Sequence, residues 1–163
     1  MRILTALALS AVVVAQSKNP TYDRWANFKV GSWVKMKIEA ESGGVKGVED
    51  RTVTLTELTK EKAILEWKRI RILAERKYPE ETSRIEIRSD NWPNPTTVQK
   101  EGEEEIEIAG KKLKCRWIKG TSNEGNVKFW VSTEVPGGIV KVEQTTSEGV
   151  TTKSIVTGWE KKE

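Results

Sequence analysis

Histidine is absent from this chain of 163 residues, and cysteine occurs once, at Cys115. Without histidine the chain can form no Ser-His-Asp or Cys-His catalytic arrangement, no histidine-ligated zinc site and no ordinary proton carrier near neutral pH. A single cysteine excludes a disulfide within the chain. Because no nucleophile has a base beside it and no metal ligands cluster, we predict a protein that is not an enzyme and binds no metal or cofactor.

Neither sign of charge dominates the chain, and basic residues never form a long block. The formal net charge is +4, with acidic and basic residues interspersed. A small excess of this kind keeps a protein in solution and gives little reason to predict a nucleic-acid partner, so we predict none. The densest acidic run, Glu101–Glu107, lies along a predicted strand, where alternate carboxylates point apart and calcium ligation is disfavoured.

Long apolar runs are also missing, apart from Ile3–Val14 near the N-terminus. This run is too short to cross a bilayer as a helix, and Arg2 precedes it as the basic residue of an export signal. The small residues before Gln16 suit signal peptidase, so we predict a signal peptide over residues 1–15 that is cleaved after Ala15. The mature chain then has no transmembrane anchor and is periplasmic or secreted. An uncleaved membrane anchor is the alternative.

Alternation of apolar and polar residues with period two runs through most of residues 16–163, and this pattern is typical of half-buried β-strands. It is clearest in Asn126–Gln144, where two alternating runs flank Val135–Gly138. Pro136 suits the second position of a type II turn, and Gly137 supplies the positive φ of the third. No linker interrupts the pattern, so we predict a single β domain over residues 16–163. Its expected form is one curved antiparallel sheet: a meander, a half-barrel or a barrel.

The same alternation predicts the other strands, which are Gly31–Glu41, Val48–Leu58, Lys62–Leu73, Ile85–Ile87, Glu103–Ile108, Lys111–Ile118 and Thr151–Trp159. The composition of Lys62–Leu73 also suits a helix, but its length and its neighbours favour a strand. Glu75–Arg84 is polar and has no clear periodicity. We predict a loop over Asp90–Thr97, because Pro93 and Pro95 interrupt the hydrogen bonds of a strand ladder.

One short segment, Pro20–Phe28, follows the helical period instead. Tyr22, Trp25 and Ala26 fall on one face of a helix, and Asn19 is placed to cap its first turn. A helix this short is unstable alone, so we expect it to pack on the sheet. The predicted fold class is therefore all-β with a short N-terminal helix.

Two linked patterns occupy the C-terminal half: a GK-x-L-x-C-x-W strand, then K-x-W-x-S-x-x-VPGG-x-VK and a closing strand that ends in Trp. The residues that form the two patterns are Gly110, Lys111, Leu113, Cys115, Trp117, Lys128, Trp130, Ser132, Val135–Gly138, Val140 and Lys141. In these residues the chain resembles a group of small exported bacterial β-proteins of unassigned function. The N-terminal segment of that group is similar too, at Trp25, Phe28, Gly31, Ser32 and Val34.

A more distant resemblance rests on architecture alone. A β-meander preceded by a short helix resembles the lipoprotein-carrier (LolA-like) half-barrels of the bacterial envelope. That resemblance implies an open, strongly curved sheet whose concave face holds an acyl chain. Architecture does not fix function, so the ligand is an expectation.

The predicted sheet presents more apolar surface than the predicted helix covers. An apolar sheet face must be buried, so either the sheet closes on itself or a ligand or partner covers it. The residues expected to line such a groove are Val34, Met36, Ile38, Leu65, Trp67, Leu113, Trp117, Phe129 and Val140. We therefore predict an exported, non-catalytic cell-envelope protein that binds an apolar or amphiphilic ligand on a curved sheet. The alternative is an envelope protein–protein interaction module without a small ligand.

Three tryptophans are candidates for exposed contacts. Trp33 and Trp130 alternate with apolar residues and share their predicted faces with lysines, while Trp92 stands beside Pro93 in a predicted loop. Large apolar side chains on polar faces are informative when they are exposed, and loops concentrate binding residues. The competing interpretation is that the helix or the stems of lysine side chains cover the first two.

The signal peptide generates the first testable prediction. The exported protein should begin at Gln16, because Ala15 is the last small residue before the polar leader. Intact-mass measurement of the secreted form checks this. A mass that retains residues 1–15 would show that the segment is an uncleaved anchor.

Overall fold

The computed structural model describes residues 19–91 and 96–163. The predicted signal peptide, residues 1–15, and Trp92 lie outside these ranges. The described residues form α1 (Pro20–Ala26) and the strands β1 (Trp33–Ser42), β2 (Val45–Leu58), β3 (Lys62–Leu73), β4 (Arg76–Lys77), β5 (Glu81–Arg88), β6 (Thr97–Ile108), β7 (Lys111–Ser122), β8 (Gly125–Val131), β9 (Ile139–Thr146) and β10 (Thr151–Glu160).

The described strands form one 10-stranded sheet in the order β4-β3-β2-β1-β10-β9-β8-β7-β6, and β5 pairs with β3 beside β4. Two antiparallel meanders, β1–β5 and β6–β10, are joined where the first strand pairs with the last. The sheet is open, because β6 and the β4–β5 edge have no strand between them. The prediction of an all-β fold with a short N-terminal helix and a single curved antiparallel sheet is confirmed.

The polar segment 75–84, which has no clear periodicity, supplies edge strands. β4 and β5 pair with the outer side of β3, and β5, whose first half comes from this segment, alternates only weakly between exposed and half-buried residues. An edge strand can stay polar because much of its surface faces solvent. In the predicted loop over residues 90–97, the last residue already begins β6, and residues 92–95 lie outside the described ranges.

The strand register defines two faces of the sheet, because cross-strand partners point to the same side. Ile38, Ser154, Val142 and Phe129 are successive partners across β1, β10, β9 and β8. The helix α1 packs on this side, where the guanidinium carbon of Arg24 lies 5.8 Å from the centre of the Phe129 ring. We call this side the helix face.

The opposite side carries most of the lysines of the second meander. Lys37, Ile155, Lys141, Trp130 and Trp117 are successive partners across β1, β10, β9, β8 and β7. We call this side the lysine face. The continuous register between β1 and β7 means that each face runs unbroken from one meander into the other.

The core of the first meander lies on the helix face. Val53, Leu55 and Leu65 are adjacent across β2 and β3, and each is at most 4% exposed. Tyr22 and Trp25 of α1 belong to the same buried cluster. Because burying one such aliphatic side chain stabilises a fold by about 1.5–3 kcal/mol, this contact holds a helix that would be unstable alone.

Two polar residues fix α1 at the edge of the sheet. The side-chain oxygen of Asn19 accepts hydrogen bonds from the first turn of the helix, and its nitrogen donates to the carbonyl oxygens of Arg88 (3.0 Å) and Asn91 (2.7 Å). The Tyr22 hydroxyl donates to the Thr59 carbonyl oxygen at 2.6 Å. The predicted cap is confirmed, and it also ties the helix to the end of β5.

The turn Val135–Gly138 packs against the other end of α1. The Gly138 N–H donates to the Val135 carbonyl oxygen at 2.8 Å, and Gly137 has φ +76°, as a type II turn requires. A Cβ atom on Gly137 would lie 2.8 Å from the indole of Trp25. Glycine is therefore required here twice, by its backbone conformation and by the close approach of Trp25.

This double requirement predicts different costs for two glycines with the same backbone conformation. Gly149 has φ +80° but open space where a Cβ would be, so Gly149→Ala should cost about 1–2 kcal/mol from backbone strain. Gly137→Ala should cost about 1–3 kcal/mol more, because the methyl group collides with Trp25. Urea unfolding of both variants measures the difference. Equal losses would mean that Trp25 does not depend on this turn.

Candidate functional site

A cleft of about 340 Å³ lies on the helix face, at the end of the strands away from α1. At this place β1 and β3 end and β2 begins. The helix lies at the start of β3, near Thr59, and the cleft lies at its end, beside Arg71 and Leu73. Its lining comprises Ile38, Ala40, Gly47, Val48, Glu49, Arg71, Ile72, Leu73 and Tyr78.

Small side chains in the middle of one cross-strand row create the depression. Gly47 of β2 is the partner of Ala40 on one side and of Leu73 on the other. A Cβ atom on Gly47 would lie 3.4 Å from the end of the Leu73 side chain, so even a methyl group would begin to fill the space. Leu73 is 45% exposed, which leaves an apolar surface of the cleft open to solvent.

An ionic row separates this apolar cleft from the buried core. Arg51 donates to Glu49 at 2.6 Å, and its guanidinium carbon lies 4.4 Å from the centre of the Trp67 ring. Arg69 and Arg71 both donate to Glu81, at 2.7 and 2.5 Å. The helix face therefore changes from apolar core to ionic row to apolar cleft along the strands of the first meander.

The charges of this row are largely satisfied within it. Hydrogen bonds from Arg69 and Arg71 lower the pKa of the Glu81 carboxyl below its ordinary value, so Glu81 stays ionised through the neutral range. Arg71 and Arg76 lie on the Tyr78 ring, at 5.9 and 5.3 Å from its centre. Two cations over one ring place a modest positive charge at the mouth of the cleft.

One buried polar atom beside the row has no protein partner. The indole nitrogen of Trp67 is buried, and within the described residues no acceptor receives its hydrogen. Such a donor is costly unless water or a ligand atom pairs with it. The middle of the helix face therefore favours a bound polar atom next to apolar surface.

The nine residues predicted to line a groove do not all lie together. By strand register, Leu113 and Trp117 lie on the lysine face, and the remaining seven lie on or next to the helix face. Only Ile38 lines the cleft within its described lining. The exposed fractions of Val34, Leu65, Leu113 and Val140 are at most 2%, so these four already serve as core. Met36, Trp67, Trp117 and Phe129 are half-buried.

The three tryptophans that are candidates for exposed contacts have different surroundings. The prediction for Trp130 is wrong, because its side chain is 3% exposed, its indole N–H donates to Glu104, and the ammonium groups of Lys128 and Lys141 lie 4.3 and 4.4 Å from its ring centre. Trp33 is half-buried and donates to Glu160 at 2.9 Å. Trp92 lies outside the described residues.

Sequence reasoning missed most of the cleft. Gly47, Arg71, Leu73 and Tyr78 line it, and none of them was singled out by period or motif. The one available signal is the apolar pair at positions 72 and 73 at the end of a strand, followed by a polar segment. Alternation cannot find such a site, because the site depends on which small residues become cross-strand neighbours.

Residues 19–91 and 96–163 contain neither a cluster of metal ligands nor a membrane-spanning helix. No three cysteine, aspartate or glutamate side chains in this part of the chain converge as metal ligands. In the same residues, no helix has the length and apolar character needed to cross a membrane.

Comparison with known proteins gives little beyond a loose likeness of fold. No family model matches the chain, and no curated protein matches its sequence. A crystal structure described as a "putative lipoprotein" from Parabacteroides distasonis has a TM-score of 0.47 and 10% identity, covering 81% of this chain and 96% of that one. A DUF1329 family protein from Desulfovibrio piger has a TM-score of 0.29 and 11% identity, covering 87% and 92%. Both TM-scores are too low to carry an argument about ligand or activity. The resemblance to small exported β-proteins that rests on the VPGG pattern stays a prediction.

Cys115 is the one nucleophilic thiol of the chain, and it is 2% exposed. Burial raises the pKa of this thiol, with Glu104 and Glu134 adding to the rise, so little reactive thiolate forms at neutral pH. The expectation from sequence is that Cys115 packs as a small apolar residue.

Thiol labelling tests this assignment. A maleimide should react with native Cys115 at least about 100-fold more slowly than with the urea-unfolded chain, since labelling requires local opening. The matched control is Cys115→Ala with Ser147→Cys, which places a cysteine on the exposed turn between β9 and β10. Equal native rates for the two cysteines would show that Cys115 is accessible.

Proposed function

We propose that this chain is an exported, non-catalytic cell-envelope protein whose helix face binds an apolar or amphiphilic ligand. The observation that carries the proposal is the apolar cleft formed around Gly47 at the end of the first meander. Its volume of about 340 Å³ falls within the range of about 300–1,000 Å³ typical of small-molecule sites. The predicted signal peptide supports the envelope location.

The exposed wall of the cleft supplies the driving force. Leu73 is 45% exposed, and covering it with an apolar chain removes that surface from water. Full burial of one such side chain contributes about 1.5–3 kcal/mol, and partial cover contributes less. A ligand that also covers Ile38 and Ala40 would gain more from the same site.

The rim of the cleft favours an amphiphile over a purely apolar molecule. Arg71, Glu49 and Tyr78 stand beside the apolar wall and offer donors and acceptors to a polar head. Most of their charge is neutralised within the ionic row, so the apolar part of the ligand contributes most of the binding energy. The predicted groove residues Met36 and Trp67 lie on the same face, with Met36 beside Arg51 of the ionic row and Trp67 on its far side, so the row limits how far the apolar part of the ligand extends.

The alternative function is a protein–protein interaction module. The observation that favours it is β6, an edge strand that pairs only with β7 within the described residues. Val98 of β6 is 52% exposed, while glutamates along the rest of the strand oppose pairing with another chain. A partner on this edge would leave the cleft at the far end of the sheet unoccupied.

A dye-binding experiment with a matched pair of variants tests the ligand site. Purified mature protein should bind Nile red saturably in the micromolar range, and dodecanoic acid should displace the dye. Ala40→Trp should weaken dye binding by at least about tenfold, because the indole fills the cleft beside Gly47. Lys35→Trp adds the same side chain to the same strand on the exposed lysine face and should leave binding unchanged.

Two outcomes would overturn the proposal. One is the absence of saturable dye binding together with a bare chain in native mass spectrometry, after which the interaction module takes its place. The other is an equal effect of Ala40→Trp and Lys35→Trp, in which case the dye binds elsewhere. Urea midpoints of both variants show whether each is folded before its binding is compared.

A further inference from the structure

A second cleft, of about 330 Å³, lies between α1 and the second meander. Arg24 of the helix, Lys114 and Arg116 of β7, and Ser132 and Gly138 of the β8–β9 turn contribute to its lining. Three cations line this cleft, and no carboxylate is among its described lining residues. The apolar cleft at the end of the first meander contains none of these residues.

Within the described residues, the charge of Arg24 has no anionic partner. Across residues 19–91 and 96–163 no carboxylate pairs with its guanidinium and no acceptor takes a hydrogen bond from it. Its recorded contact is with the Phe129 ring, 5.8 Å away. Burial lowers the pKa of Arg24, because the guanidinium has lost contact with solvent. A half-buried charge in this state is costly, and protein charges in such places are normally paired.

The neighbouring cations are only partly neutralised. Arg116 donates to Glu101, which lies on the β6 side and outside the lining of the cleft. Lys114 stands opposite Glu105 in the register, but Glu105 bonds to Lys112 at 3.7 Å and forms no ion pair with Lys114 among the described residues. Arg24 and Lys114 therefore both present free positive charge to the same cleft.

The VPGG turn explains why Arg24 points into this cleft. A Cβ atom on Gly138 would lie 2.7 Å from Cδ of Arg24, so the arginine stem lies directly on the glycine backbone. Gly137 contacts Trp25 in the same way, so two adjacent glycines meet two adjacent residues of α1. The two glycines therefore position the guanidinium, whose charge has only the cation–π contact with Phe129 among its described interactions.

We propose that this cleft binds a phosphate group, held by Arg24 and Lys114 with the hydroxyl of Ser132 beside them. A phosphate carries a charge of about −1.5 to −2 at neutral pH, which matches two free cations better than a single carboxylate does. Arginine binds phosphate with two parallel hydrogen bonds, and Ser132 has a hydroxyl hydrogen to donate. The phosphate belongs either to a small soluble ester or to a phospholipid headgroup.

Isothermal titration with inorganic phosphate, at constant ionic strength, is the primary test. Saturable binding should appear with wild-type protein and weaken at least about tenfold in Arg24→Gln, because a charge-assisted hydrogen bond is lost. Lys114→Gln, at an exposed position, should weaken binding less without affecting folding. Arg76→Gln is the matched control: Arg76 is an exposed arginine outside the cleft and should leave phosphate binding unchanged.

Thermal unfolding separates a binding role from a structural one. In buffer without phosphate, Arg24→Gln should melt at the same temperature as wild type or higher, because it removes an unpaired half-buried charge. Phosphate should then raise the melting temperature of wild type and not of the variant. Absence of saturable phosphate binding, or equal binding by Arg24→Gln and wild type, would overturn the proposal.

Two further arms identify the source of the phosphate. Glycerol 3-phosphate represents a soluble ester, and vesicles of phosphatidylglycerol in phosphatidylcholine represent a lipid headgroup. The cleft accepts the class of ligand that binds wild-type protein more tightly than inorganic phosphate does. That ligand should lose its advantage over inorganic phosphate in Arg24→Gln. Nile red binding should be unaffected by phosphate, so failure at this cleft is distinguishable from failure at the apolar cleft.

Discussion

The pairing of β1 with β10 is the constraint on which the rest of the structure depends. It runs from Trp33 opposite Glu160 to Glu41 opposite Thr151 and joins two meanders that are otherwise separate in sequence. Without it each meander would present its own apolar face, and neither would have a partner to cover it. With it the two helix faces become one surface, and a single short helix can serve both.

The helix α1 acts on this joined surface as a brace. Asn19 and Tyr22 bond to the edge of the first meander, and Trp25 rests on Gly137 in the second. Seven residues are too few for a stable helix in water, so its order comes from these contacts at both ends. The brace also divides the helix face, leaving the apolar cleft beyond one side and the cationic cleft along the other.

Local features of this fold follow well from the sequence. The cap at Asn19, the type II turn at Pro136 and Gly137, and the strand Lys62–Leu73 each depend on neighbours within a few residues, and each is confirmed. Side-chain alternation is equally local, which is why the apolar positions of β1 are assigned to one face correctly.

Properties that depend on long-range register could not be predicted in the same way. The chain gives no local signal that β1 pairs with β10. Register shifts between Lys35 and Met36 and between Trp130 and Val131 also change which residues share a face, and the sequence pattern does not reveal them. The alternation therefore does not separate Leu113 and Trp117, which lie on the lysine face, from the predicted groove residues of the helix face. Burial of Trp130 likewise depends on Glu104, a residue 26 positions away.

The two clefts of the helix face differ in how their arginines are satisfied, and that difference indicates what each can bind. Arg69 and Arg71 share Glu81, so the apolar cleft has donors at its rim but little unbalanced charge, and apolar contact must provide most of its affinity. No acid in the described part of the chain pairs with Arg24. A charge that the fold desolvates without pairing it lowers stability, and an anion that pairs with it would recover part of that free energy on binding. One face of the sheet can thus hold an apolar chain at one end and an anionic group at the other without either site competing for the same residues.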